Sequence, residues 1–152
     1  MKTKVTRVLA VSSGGGHWVQ MMRLRPAFAG FDVTFASVDA DRAADVAPAV
    51  FYAIPDANRM QKWKLLVLLV KLGWIMLKTS PHVVITTGAA PGYFAIRMGR
   101  VLRARTLFLD SVANAEKLSL SAHLSQRHAD LMLTQWPEVA ERTGSKFMGP
   151  VI

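Results

Sequence analysis

Cysteine is absent from the sequence. Its absence excludes disulfide bonds and thiolate metal sites, and it mildly favours a reducing compartment. Apolar runs are short, so no stretch supplies the roughly 20 apolar residues that a membrane-spanning helix requires. The amino-terminal run MKTKVTRVLAVSS reaches a glycine loop too soon to form a signal peptide. Because 51% of the residues are apolar, a disordered chain is also excluded.

Acidic residues are scarce, with 10 Asp and Glu against 19 Lys and Arg, and the formal net charge is +9. No acidic residue occurs between Ala57 and Leu109. A long segment with only positive charges suits an anionic partner. Lipid headgroups, nucleic acid and phosphorylated substrates all remain candidate partners. The basic residues of that stretch are Arg59, Lys62, Lys64, Lys71, Lys78, Arg97, Arg100, Arg103 and Arg105.

Short β-rich runs alternate with longer helical runs along the chain. This alternation predicts an α/β fold, a Rossmann-like, mostly parallel sheet with helices on both faces. At 152 residues, we expect one domain covering 1–152. Strands are expected at 7–12, 31–38, 50–54, 82–87, 106–109 and 131–134, and helices at 18–29, 39–47, 62–78, 93–102 and 118–129.

Three loops with small or polar residues follow predicted strands. They are SSGGGH at 12–17, TTGAAPG at 86–92 and DSVANAE at 110–116. In open parallel sheets, ligands bind at the carboxyl ends of the strands, where the strand order reverses. We therefore expect the three loops to meet along one edge of the sheet and to form the functional site.

The first loop has the properties of an anion site. Gly14, Gly15 and Gly16 allow the backbone to approach a ligand closely, and the helix that follows directs its positive end at the loop. His17 can donate to a phosphate or act as a base, and a structural role is equally compatible with its position. The loop can also be a plain tight turn between strand and helix. A Walker lysine is absent, and Val19 stands where an NAD fingerprint requires glycine, although Asp39 could serve as the ribose acid.

The segment KWKLLVLLVKLGWIMLK at 62–78 predicts a helix suited to a membrane surface. Lys64, Lys71 and Lys78 recur at seven-residue spacing and lie on one stripe. Trp63 and Trp74 add the amphipathic rings that favour a bilayer interface. A helix packed on the sheet with its lysines reaching outward explains the same pattern. Arg97, Arg100 and Arg103 could extend the basic surface, or they could be solvated.

Several segments together resemble a known family. They are SSGGGH, PHVVITTGAAPGYFA and TLFLDSVANAEKLSLSAHLSQRHADLMLTQWPE. They are similar to the Alg-fourteen-type family, membrane-associated halves of split GT-B glycosyltransferases that include PssD- and CpsF-like bacterial polysaccharide biosynthesis proteins. A more remote similarity is to the N-terminal half of MurG.

This resemblance implies a division of labour between two subunits. The chain would bind a polyprenyl-diphosphate-linked sugar acceptor at the cytoplasmic face of the membrane, as a peripheral protein. A GT-B carboxyl-terminal-half subunit would bind the UDP-sugar, and the chain would be inactive alone. No metal or other cofactor is implied.

The resemblance also implies roles for individual residues. His17 would act as the base, and Asp110 stands where relatives tend to have a glutamate; Asp110 could equally cap the following turn. Trp136 would contact the partner subunit, or else pack on the domain's own core. The acceptor diphosphate would bind Ser13, Gly14, Gly15, Gly16, Thr87, Gly88 and Ala89.

Two other classes of protein remain open. One is a Rossmann-like nucleotide-binding protein, which would bind NAD or a nucleotide as an isolated chain. The other is a basic nucleic-acid-binding domain. The second is disfavoured because the positive charge accompanies an apolar, tryptophan-bearing helix rather than a base-stacking sheet.

Overall fold

A computed structural model describes residues 5–151, so the basic residues Lys2 and Lys4 lie outside the described part. Seven parallel strands form a single sheet in the order β3-β2-β1-β4-β5-β6-β7. The strands are β1 (Arg7–Val11), β2 (Asp32–Ser37), β3 (Val50–Ala53), β4 (Val83–Thr86), β5 (Arg105–Leu109), β6 (Leu131–Thr134) and β7 (Lys146–Phe147).

The order of the strands reverses between β1 and β4. The chain runs outward from β1 to β3, crosses back through a helix, and continues outward on the other side from β4 to β7. Val11, the last residue of β1, pairs with Ala36 of β2 and with Thr86 of β4. The loops after β1 and β4 therefore start at the same level, side by side at the switch point of the sheet.

Among residues 5–151, six α-helices connect the strands and cover both faces of the sheet. They are α1 (Gly16–Leu24), α2 (Ala43–Val46), α3 (Lys62–Thr79), α4 (Ala89–Val101), α5 (Leu120–Ser125) and α6 (Pro137–Thr143). Short 3-10 segments follow α1 at Arg25–Phe28 and precede α2 at Ala40–Arg42. The predicted α/β class and Rossmann-like sheet are confirmed.

Successive side chains of a strand point to opposite faces of the sheet and pack into separate hydrophobic cores. On one face, Leu9 and Val11 pack with the buried side of α3, including Leu68 and Leu72. On the opposite face, Ala10 packs with Trp18 of α1. The α3 face also includes the core beneath α5 and α6. This alternation follows from the two-residue period of a strand.

Several predicted boundaries differ from the structure. The first helix ends at Leu24 because Pro26 continues it as a 3-10 turn, although a helix to Ala29 is expected from the sequence. The fourth helix begins at Ala89, four residues before the expected start, because Pro91 is compatible with the first turn of a helix. The elements α6 and β7 are not predicted from the sequence at all.

Candidate functional site

The glycine loop presents unpaired backbone amides at the carboxyl edge of the sheet. Gly15 lies at the N-cap of α1 with φ of 60°, and Gly15 and Gly16 are exposed. Within residues 5–151, the amides of Gly14, Gly15, Gly16 and His17 donate no hydrogen bond to a protein acceptor. The first turn of α1 carries no acidic residue. The loop therefore has the donors and the positive helix end that an anion requires.

His17 is held by the neighbouring loop through two hydrogen bonds. Its Nδ1 lies 2.8 Å from the carbonyl oxygen of Thr87, and the Thr87 hydroxyl donates to the carbonyl oxygen of His17 at 2.7 Å. Since a carbonyl oxygen can only accept, Nδ1 carries the hydrogen and Nε2 carries the lone pair. Nε2 is thus the ring atom that can accept a proton from a ligand.

Gly88 provides the space that the imidazole occupies. Its φ is 129°, a conformation that glycine adopts and other residues avoid. A Cβ placed on Gly88 would lie 2.9 Å from Cε1 and 3.0 Å from Nδ1 of His17. The Gly88 amide donates to the Thr86 hydroxyl at 3.1 Å. The 87–89 loop therefore positions His17, and neither the Thr87 hydroxyl nor the Gly88 amide is free to bind a ligand.

The remaining residues of the predicted diphosphate site lie at the same edge. Ser13 is half-buried, and its carbonyl oxygen accepts a hydrogen bond from the Ser37 hydroxyl at 3.3 Å. Ala89 begins α4 with φ of 62° and lines a cavity next to the loop. The structure thus brings the loops after β1 and β4 together at the switch point.

Asp39, the candidate ribose-binding acid, lies two residues beyond the end of β2, and its carboxylate is bound by the segment that follows. One of its oxygens accepts the amide of Asp41 at 3.2 Å, and the other lies 3.0 Å from Nε of Arg42. These bonds cap the 3-10 segment that follows β2. Asp39 is therefore already paired within the protein, and a role for it in binding a ribose stays a prediction.

Asp110 is buried within the loop that follows β5. Its carboxylate accepts the amides of Ser111 and Ser119 at 3.0 and 2.8 Å and the side-chain amide of Asn114 at 3.0 Å. The side chain is 1% exposed. These bonds organise the 110–119 loop, so the structure favours the capping alternative over the predicted catalytic role.

Trp136 packs against the core formed by α4, α5 and α6. Its indole N–H donates to the carbonyl oxygen of Val112 at 2.8 Å. The ring therefore fixes the loop after β5 to the domain's own core. This is the internal role left open by the sequence, and a contact between Trp136 and a partner stays a prediction.

Two buried glutamines also hold the loop after β5 in place, and the sequence predicts no such role for either of them. The side-chain amides of Gln20 and Gln135 both donate to the carbonyl oxygen of Asp110, each at 3.1 Å. Gln20 comes from α1 and Gln135 follows β6, so they join three elements. Isolated polar residues in helical or strand patterns carry no local signal of such a role.

Helix α3 has two apolar faces. One face is buried against the sheet through Leu68, Leu72, Ile75 and Met76. The opposite face is open to solvent, and its exposed fractions include 68% for Trp63 and 66% for Val70. The full set of large apolar residues exposed on α3 is Trp63, Leu66, Val67, Val70, Trp74 and Leu77.

Three of the four lysines of α3, Lys64, Lys71 and Lys78, lie beside this exposed apolar face, on one side of the helix. Lys64 and Lys71 are half-buried, and Lys78 is exposed. The Lys78 ammonium lies 4.7 Å from the ring centre of Trp74, which in turn packs edge-on against Tyr52 at 5.5 Å. Lysine stems along an apolar surface, with charged ends that form no salt bridge among residues 5–151, match an interfacial helix.

The three arginines predicted to continue the basic surface have different surroundings. Arg97 stacks on Tyr93 and lines the groove between α3 and α4. Arg100 instead pairs with Asp130 at 3.3 Å, and a contact of Arg100 with the membrane stays a prediction. Arg103 lies beyond the end of α4 with φ of 59°. The pairing of Arg100 joins positions 30 residues apart, which the sequence does not reveal.

No helix among residues 5–151 is both long enough and apolar enough to cross a bilayer.

The Alg14-like family of oligosaccharide biosynthesis proteins matches residues 35–151 of this chain. This range covers well over half of the sequence, and the chain belongs to that family. The match begins after the glycine loop. The interpretation of Gly14 to His17 therefore depends on the geometry at the switch point.

Two curated relatives bear the name UDP-N-acetylglucosamine transferase subunit ALG14. The protein of Eremothecium gossypii is 38% identical over 72 residues, which cover 43% of this chain and 32% of the relative. The protein of Yarrowia lipolytica is 31% identical over 71 residues, covering 43% and 33%. The matched segments thus span about a third of each relative.

Solved structures share the fold at low sequence identity. MurG of Acinetobacter baumannii aligns with a TM-score of 0.73 at 14% identity, over 88% of this chain and 43% of MurG. A putative UDP-N-acetylglucosamine 2-epimerase of Listeria monocytogenes aligns with a TM-score of 0.70 at 10% identity, over 95% and 43%. The chain has the fold of one half of these two-domain proteins.

Proposed function

We propose that the chain is the acceptor-binding, membrane-associated subunit of a two-component glycosyltransferase. It binds a sugar linked to a polyprenyl diphosphate, and a second subunit supplies the UDP-sugar. The donor sugar is a hexose or an N-acetylhexosamine. The names of the curated relatives support a place in a UDP-N-acetylglucosamine transferase.

One observation carries this proposal. Four unpaired amides and the oriented Nε2 of His17 meet at the switch point of the sheet. A diphosphate fits this arrangement because it offers several anionic oxygens to amides that have no acceptor among residues 5–151. The helix end behind the loop adds a favourable partial charge.

In the proposed reaction, His17 activates the acceptor hydroxyl. Nε2 takes the proton of that hydroxyl while its oxygen attacks the anomeric carbon of the donor sugar, and the bond to UDP breaks with inversion. The Thr87 carbonyl oxygen stabilises the imidazolium that forms, because Nδ1–H already donates to it. The glycine loop binds the diphosphate of the acceptor and so keeps the acceptor hydroxyl next to His17.

The position of α3 supports association with the membrane. Its apolar outer face and its lysines suit an anionic bilayer surface, with the apolar side chains at the acyl boundary. Helix α3 and the glycine loop lie on neighbouring parts of the same domain. One peripheral domain, residues 1–152, thus binds both the bilayer and the head of a lipid acceptor.

A transfer assay with a candidate GT-B carboxyl-terminal-half subunit tests the proposal. The two subunits are mixed with a UDP-sugar and a prenyl-diphosphate-linked sugar, and each subunit is also assayed alone. Product formed only by the pair supports the proposal. If no pairing gives product, while the isolated chain binds NAD or another nucleotide in calorimetry, the nucleotide-binding alternative replaces it.

A further inference from the structure

An apolar groove of about 490 Å³ lies between α3 and α4. Its volume is in the usual range of ligand pockets, about 300–1,000 Å³. Both of its walls are apolar, apart from Arg97 at the rim. Six of the lining residues define it: Leu69, Gly73, Met76, Leu77, Phe94 and Met98.

A second cavity of about 300 Å³ lies next to this groove, at the start of α4. Phe94 lines both cavities, and Ala89, at the start of α4, lines the second one. Both helices begin at the carboxyl edge of the sheet and run back beside each other. The groove and the second cavity both run beside α4, and together we call them the track. The 13 residues of α4 give the track a length of about 20 Å at a 1.5 Å rise per residue.

The polarity of the track changes along its length. In the second cavity, at the start of α4, it contains Arg59 and Ser121. Toward its far end the lining is apolar, and Leu77 and Val101 there are 70% and 80% exposed. Those two side chains continue the exposed apolar face of α3. The track thus joins a charged site to the surface proposed to contact the bilayer, as an amphiphile requires.

We propose that the α3–α4 groove binds the first isoprenoid units of the acceptor lipid. This inference rests on the proposed function, because it places the chain of the lipid whose diphosphate occupies the glycine loop. The lipid passes from the bilayer past Leu77 and Val101 and along Phe94 to the loop. Burial of the hydrocarbon in the groove adds affinity to the diphosphate contacts. It also directs the headgroup toward His17.

Gly73 allows the groove to be filled without a clash. A Cβ built on this residue meets nothing within 4 Å, and its backbone is helical. Gly73→Phe therefore places a ring in the open space between the helices. Gly73→Ala is the conservative control. Val70→Phe adds the same kind of bulk on the outer face, away from the groove.

The test compares inorganic diphosphate with farnesyl diphosphate, below its aggregation threshold, by calorimetry on the full chain. For the wild-type protein and both controls, we expect farnesyl diphosphate to bind at least about tenfold more tightly than diphosphate. In Gly73→Phe we expect this ratio to fall toward one, while the affinity for diphosphate stays unchanged. Retained diphosphate binding shows that the variant is folded.

The outcomes separate this inference from the proposed function. If diphosphate binds but farnesyl diphosphate binds no better, or if Gly73→Phe leaves the ratio unchanged, the groove assignment is wrong and the diphosphate site stands. If neither compound binds, the proposed function itself fails. If adding the partner subunit removes the advantage of farnesyl diphosphate, the groove belongs to the partner and the assignment is overturned.

Discussion

The imidazole of His17 and the main chain of Thr87 are joined across the switch point of the sheet. His17 Nδ1–H donates to the Thr87 carbonyl oxygen at 2.8 Å, and the Thr87 hydroxyl donates back to the His17 carbonyl oxygen at 2.7 Å. The first bond fixes the tautomer, and both fix the loop that carries the ring. In the proposed mechanism, a base held in this way needs no rearrangement to accept a proton from the acceptor.

Replacing His17 by alanine is expected to lower kcat of the assembled transferase by about 10²–10⁴-fold, the usual contribution of general acid–base catalysis. Co-purification with the partner should be unaffected, because the ring's hydrogen bond is to Thr87 within this chain. Thr87→Val is the matched variant, since it removes the hydroxyl donor but keeps the carbonyl acceptor. It should lose less activity than His17→Ala. Undiminished turnover in His17→Ala would remove His17 from the mechanism.

Gly88→Ala is expected to disturb both backbone and active site. The φ of 129° disfavours any side chain, and the new Cβ would lie 2.9 Å from Cε1 of His17. We expect a loss of about 1–3 kcal/mol in the free energy of unfolding, measured by urea denaturation, together with reduced kcat.

Gly144→Ala is the control for Gly88→Ala. Gly144 also has a positive φ, 73°, but a Cβ there meets nothing within 4 Å. The Gly144→Ala variant should have a lower free energy of unfolding, while its folded molecules keep the wild-type kcat. Equal kcat in the two variants would show that the space beside His17 is unimportant.

Reversing the charges of Lys64, Lys71 and Lys78 to glutamate should weaken binding to anionic vesicles. Each basic residue near an anionic surface contributes about 1 kcal/mol to binding. The loss of three positive charges, without counting the added negative charges, therefore lowers the partition coefficient by roughly 100-fold. Vesicle co-sedimentation at physiological salt measures the effect.

A triple reversal at exposed basic residues outside α3 tests whether position matters. Arg23, Lys117 and Lys146 are suitable because they take part in no salt bridge among residues 5–151. This control should bind vesicles considerably better than the α3 variant. Equal loss in both would indicate that net charge, rather than α3, drives binding. Strong duplex DNA binding with no vesicle binding would favour the nucleic-acid alternative.

Asp110→Ala is expected to act on stability more than on chemistry. It leaves the amides of Ser111 and Ser119 and the side chain of Asn114 without their acceptor. Loss of buried acceptors of this kind costs about 1–3 kcal/mol for each group left unsatisfied. Asp110→Asn should retain part of the stability because it keeps one acceptor oxygen. If Asp110→Asn unfolds like the wild type yet loses turnover, Asp110 belongs to the catalytic site after all.

Much of the fold follows from the alternation of strand and helix patterns. The strand β6 lies at its predicted bounds, Leu131–Thr134. The elements that were missed are short: β7 has two residues and α6 has seven, too few for a clear period. The predicted helix ends near Pro26 and Pro91 are wrong. A proline ends a helix in one context and fits the first turn of a helix in another, and the sequence does not distinguish the two.

The candidate site was partly visible in the sequence. The loops that contain His17 and Thr87 could be placed at one edge because both follow strands. Their direct contact could not be predicted, since it depends on β1 lying next to β4 in the sheet. The burial of Asp110 was equally hidden, because its partners include an amide nine residues further along the chain.

The central claim is that the backbone amides of the glycine loop bind diphosphate. Nitrogen–proton NMR spectra of the isotopically labelled chain, titrated with inorganic diphosphate, test it at the atoms concerned. We predict saturable shifts concentrated at the amides of Gly14, Gly15, Gly16 and His17. Unchanged signals from these residues, with shifts confined to the lysines of α3 and their neighbours, would contradict the claim.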